Sequence, residues 1–92
     1  MSFRLISRHR FEALVVGEKQ NISGQRIRQV RLQQGIDQVE LAAALNIDYG
    51  VKLEQSDISE IERQVRSVKD YELDAISKVL NIDPIWLLRG DS

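Results

Sequence analysis

The stretch Gln38–Arg63, QVELAAALNIDYGVKLEQSDISEIER, decides how this chain folds. Asp37, just before it, and Glu40 have the spacing of a capping box, in which each side chain accepts a hydrogen bond from the other residue's N–H. Ile36 and Leu41 are placed to close a hydrophobic staple over the same turn. A helix is therefore predicted to begin at Gln38, with Leu41, Ala42 and Leu45 facing inward. The small Ala42, Ala43 and Ala44 let another helix come close. Asn46 could end this helix, but Gly50 is the better left-handed terminator and carries it to about Tyr49. Val51–Gln55 then reads as a turn, and Ser56–Arg63 as a short helix with Ile58 and Ile61 inward. Ser56 and Asp57 are both candidate N-caps for it, Asp57 forming a second possible capping box with Glu60.

Upstream, Asn21 or Ser23 can cap a helix through Arg26, Ile27, Arg28, Val30, Arg31 and Leu32, with Gly35 at its end. Ile27, Val30 and Arg31 share one face of it. An arginine on the inner face of a helix requires a carboxylate partner, because a buried unpaired charge is strongly destabilising. Downstream of a basic connector (Arg63, Arg66, Lys69), Asp70 is the expected cap of a helix with Leu73, Ile76 and Leu80 on one side, closed by Asn81. Asp83-Pro84 is a cap followed by proline at the first helical position, opening a short apolar helix, Ile85, Trp86, Leu87 and Leu88, that stops at Gly90. Trp86 is expected to pack in the core. The first twenty residues are the least patterned: Phe11, Leu14 and Val15 have helical spacing before Val16 and Gly17 break it, which suggests a short amphipathic helix or an arm. His9 stands among arginines and is expected to be exposed, without chemistry.

Composition bounds the rest. Ninety-two residues fit one domain. Without cysteine and with one histidine, neither a disulfide framework nor a thiolate or imidazole metal site is available, and no metal or other cofactor is expected. No apolar run is long enough for a bilayer, so the chain reads as soluble and cytoplasmic, with no membrane partner. The net charge of −1 argues against an indiscriminate coat for nucleic acid, whose affinity would come almost wholly from neutralising phosphates. The charge is unevenly spread, however. Residues 1–31 hold seven Arg and Lys against two acids, and residues 70–92 hold two against five, so a basic and an acidic pole are expected.

Several pieces in order resemble the helix-turn-helix domain of the phage-repressor and Cro family, also called the xenobiotic-response-element type. These are Ile27-Arg28-x-x-Arg31 before Gly35, Gln38-x-x-Leu41-Ala42-x-x-Leu45, Ile58-Ser59-x-Ile61-Glu62-Arg63, and Leu80-Asn81-Ile82-x-x-x-Trp86-Leu87-Leu88. The resemblance covers about Gly24 to Gly90. It implies an all-α, five-helix, lambda-repressor-like DNA-binding domain over residues 21–92, with residues 1–20 as an N-terminal extension and a lengthened turn before the recognition helix.

The same resemblance pairs Arg31 with Glu62, which supplies the partner that the buried arginine asks for. It also implies a recognition helix in the major groove, with Gln55, Ser56, Ser59 and Glu60 toward the bases. The start of the preceding helix, at Gln38, would meet the DNA backbone together with Lys52, Arg63, Arg66 and Lys69. Three features depart from the family pattern. Asp48–Leu53 lengthens the segment before the recognition helix; Asp57, Glu60 and Glu62 make that helix acidic; and Gln64 stands where many relatives have glycine. The function expected is a sequence-specific, nucleoid-associated transcriptional regulator, a repressor binding a palindromic operator in double-stranded DNA as a homodimer. The alternative is a protein-interaction module on the same fold, an antitoxin or accessory factor with a protein partner. The final helix, through Ile85, Leu87 and Leu88, is the expected dimer surface, with the N-terminal arm second. No activated nucleophile, phosphate loop or metal cluster appears, so no enzymatic activity is expected.

Overall fold

The computed structural model describes residues 19–90, and the described residues form an all-helical domain. Five helices follow in order: α1 Gly24–Gln33, α2 Gln38–Tyr49, α3 Gln55–Glu62, α4 Asp70–Leu80 and α5 Pro84–Arg89. The expectation of an arm or short helix in the first twenty residues falls, apart from Lys19 and Gln20, outside the described residues. Helix α2 packs on α3 and α4, α1 packs on the same two, and α5 closes against α4. The core joins all five: Ile27 and Val30 of α1, Leu41 and Leu45 of α2, Ile58 and Ile61 of α3, Ile76 and Leu80 of α4, and Leu87 of α5.

The ends of the helices show how local chemistry sets their bounds. At α2 the capping box is complete, Asp37 accepting from the Glu40 N–H and Glu40 from the Asp37 N–H, both at 2.8 Å. Gly50 ends the helix in left-handed backbone (φ 66°), a conformation glycine adopts without the strain a Cβ introduces. The lengthened segment thus continues the helix through Asp48 and Tyr49. Its remainder is pinned down, because Val51 and Leu53 are buried while Lys52 between them is exposed.

Two caps differ from expectation. Helix α3 is capped by Glu54, not by Ser56 or Asp57, and its second box does not run from Asp57 to Glu60. Asp57 instead sits one turn in and accepts from the Glu54 N–H at 2.8 Å. Likewise, the cap of α4 is Lys69, and Asp70 is the first helical residue. The Lys69 N–H donates to Glu72 at 2.9 Å. In both cases a carboxylate at the third helical position reaches back, and burial of the adjoining apolar residue fixes the register.

Helix α3 ends without glycine. Gln64 takes the left-handed conformation itself (φ 65°), the Gln64 N–H bonding the Ile61 carbonyl and the Val65 N–H the Glu60 carbonyl. A non-glycine residue costs about 1–2 kcal/mol in that region, and burial with two hydrogen bonds offsets it. The Gln64 side chain is buried and donates to the Asn21 carbonyl, while its own carbonyl accepts from the Gln20 N–H.

Asn21 is the hub of this strap. Its Oδ1 accepts from the Ser23 and Gly24 N–H groups, capping α1, while its Nδ2 donates to the Ile61 and Arg66 carbonyls. The side chain of Ser23, the other candidate cap, is not used. At Gly24 a Cβ would strike the Ile61 carbonyl, so glycine is required for α1 to come this close to α3. Asn21 therefore ties the start of α1 to the end of α3.

Candidate nucleic-acid interface

The side chains near the starts of α2 and α3 are organised from within the domain. Arg31 and Glu62 form a two-pronged ion pair, Nε to Oε2 at 2.7 Å and Nη2 to Oε1 at 3.0 Å, with both side chains buried. Arg31 Nη1 also donates to the Ile36 carbonyl at 2.7 Å, joining the end of α1, the entry to α2 and the end of α3. The hydrogen bond to Glu62 raises the Arg31 pKa above its ordinary value against the opposing effect of burial, so the guanidinium stays charged.

The pair also reaches the surface. Gln38 Nε2 donates to Glu62 Oε1 at 3.0 Å, and Gln55 Nε2 donates to Gln38 Oε1 at 2.6 Å. The direction of this chain is forced by its inner end. A carboxylate held by arginine only accepts, so Gln38 turns its amide nitrogen toward Glu62 and its oxygen outward. Gln55 must then offer nitrogen to that oxygen. One N–H of Gln55 remains beside its Oε1, and Gln55 is exposed at the first position of α3. That is the donor–acceptor couple that fits adenine N7 and N6. Order along the chain would cost entropy for two surface glutamines, but the buried ion pair fixes the orientation before any ligand arrives.

Ser56 is exposed, whereas Ser59 and Glu60 are half-buried. The Ser59 hydroxyl accepts from Arg63 Nε at 3.3 Å. Lys52, Arg63 and Lys69 are exposed. Arg66 is placed differently. It holds Glu72 through both nitrogens, Nη1 to Oε1 at 3.1 Å and Nη2 to Oε2 at 3.2 Å, donates to the Ser67 carbonyl, and lies 3.7 Å from Asp57. The hydrogen bond to Glu72 raises its pKa. Burial would lift the Glu72 carboxyl, but the hydrogen bonds from Arg66 and from the Lys69 N–H, with both positive charges, hold it below the ordinary carboxylate range.

The structure thus brings together Gln38, Gln55 and Glu62, and leaves Arg66 and Lys69 at the other end of α3. Sequence reasoning missed two roles: Gln38 as a link between Glu62 and Gln55, and Glu72 as the partner of Arg66. The first was legible only as a glutamine at the start of each of two adjacent helices. The second had no signal beyond a glutamate at the third helical position.

The acidity of α3 is largely internal. Glu62 belongs to Arg31, and Asp57 is tied to the Glu54 N–H and lies beside Arg66.

The final helix corrects one expectation. Leu87 is fully buried and cannot be part of a dimer surface, whereas Ile85 and Leu88 remain exposed. Trp86 is half-buried against the core. Among the described residues, no helix is long and apolar enough to cross a membrane.

A family model described as helix-turn-helix matches residues 27–87, more than half of the chain, from the first turn of α1 into α5. No curated protein and no solved structure matches the chain.

Proposed function

Because the chain belongs to the helix-turn-helix family of the phage-repressor and Cro type, and is as such a DNA-binding regulator, we propose that it is a repressor that binds a palindromic operator as a homodimer. The observation that carries the reading is the chain Arg31–Glu62–Gln38–Gln55, which holds an adenine-matching amide at the tip of α3. In this reading α3 enters the major groove, with Gln55 and Ser56 at its leading end and Ser59 and Glu60 further along. Gln55 binds adenine through two hydrogen bonds, Ser56 and Ser59 accept more than one base, and Glu60 accepts from cytosine N4. Gln38, through its second amide proton, and Lys52, Arg63 and Lys69 contact phosphates. Arg66, already neutralised by Glu72 and Asp57, holds the end of α3 and adds less to phosphate attraction. Two copies related by a twofold axis place their recognition helices about one DNA turn apart, through the exposed side of α5 around Ile85.

Selection of binding sites from random duplex, followed by titration of the enriched site at several salt concentrations, tests this. A palindromic consensus and a steep loss of affinity with salt are expected. Gln55→Ala should lose about 1–3 kcal/mol of discrimination at one base pair of each half-site. Lys52→Ala should weaken all sequences alike and shallow the salt dependence by about one phosphate. Absence of any enriched sequence would overturn the reading.

A further inference from the structure

We propose that an apolar groove on the face formed by the Gln20–Ser23 strap, the start of α4 and the end of α5 is the seat of this chain's own Phe11–Val16 segment. Ile22, Val68, Leu73 and Leu88 give the groove its apolar lining, with Gln20 and Ser23 along one edge. Ile22 is 63% exposed and Leu88 41% exposed. These two large aliphatic side chains leave apolar surface flanking one groove, which a segment laid along it would remove from water.

The occupant is argued from where the described chain begins. Gln20 itself lines the groove, so the preceding residues start at its edge. Phe11, Leu14 and Val15 follow helical spacing, one apolar stripe flanked by Arg10, Glu12 and Glu18. From Leu14 to Gln20 the chain can span about 20 Å when extended, and Gly17 lies between the stripe and the groove as a residue free to reverse direction. A tether this short gives the segment an effective concentration in the millimolar range, far above that of a second copy in dilute solution. The proposal does not depend on the DNA-binding reading.

Backbone amide spectra of the full chain and of the double variant Leu14→Asp/Val15→Asp, with sedimentation of both, test it. Amide shifts of Ile22, Ser23, Leu73 and Leu88 should move on substitution, those of Ile47 and Tyr49 at the end of α2 should stay, and the sedimenting mass should not change. Groove amides that stay in place would overturn the proposal, as would changes spread equally over α2. A fall in mass on substitution would also overturn it, by showing that the segment serves contact between copies.

Discussion

Replacing Arg31 by alanine probes the centre of the domain. The substitution removes both donors from Glu62 and the donor to the Ile36 carbonyl, and leaves the carboxylate, whose side chain is 1% exposed, with only the Gln38 amide. Breaking a buried ion pair from one side costs about 3–5 kcal/mol, because the surviving charge has lost its partner but not its desolvation. With about 1–1.5 kcal/mol per molar urea for a domain of this size, the unfolding midpoint at neutral pH should fall by about 2 M or more. The double variant Arg31→Met/Glu62→Leu should recover much of the loss, since two apolar side chains leave no charge behind. An unchanged urea midpoint for Arg31→Ala, or a double variant no more stable than Arg31→Ala, would refute the reasoning.

Gln38→Ala should leave the fold stable to within about 1 kcal/mol yet loosen sequence preference at the position read by Gln55, measured by competition between operator variants. A loss of affinity equal for every sequence would instead make Gln38 a phosphate contact alone. The depressed pKa of Glu72 makes its contribution full above the unfolded value of about 4.3, and it is lost as pH falls through the lower folded pKa. Glu72→Gln should therefore cost about 1–3 kcal/mol at neutral pH and flatten the acid limb of urea midpoint against pH. Asn21→Ala removes the α1 cap and both donors to the end of α3, about 2 kcal/mol together, and should lower the melting temperature by roughly 10 °C. Asn21→Asp keeps the cap but not the donors, and is expected to fall between the two in a thermal scan.

The sequence by itself determined the elements whose causes are local. The α2 capping box needs only Asp37 and Glu40 three residues apart, Gly50 ends the helix through its own backbone freedom, and Asp83-Pro84 starts α5 without help from elsewhere. The periodic Leu and Ile positions likewise chose the inner faces, because a helix can bury only one stripe. Tertiary structure decided what depends on groups distant in the chain. Gln64 takes a glycine's conformation because the strap from Gln20 and Asn21 holds it there, and the cap of α4 moved to Lys69 where Glu72 could serve both the Lys69 N–H and Arg66. Leu87 went inward although its neighbours looked equally free to do so. Above all, the glutamines of α2 and α3 gained a direction from Glu62, an acceptor-only group whose orientation is set by Arg31. Spacing can place a side chain on a helix face, but which atom of that side chain faces outward depends on the three-dimensional hydrogen-bond partners inside.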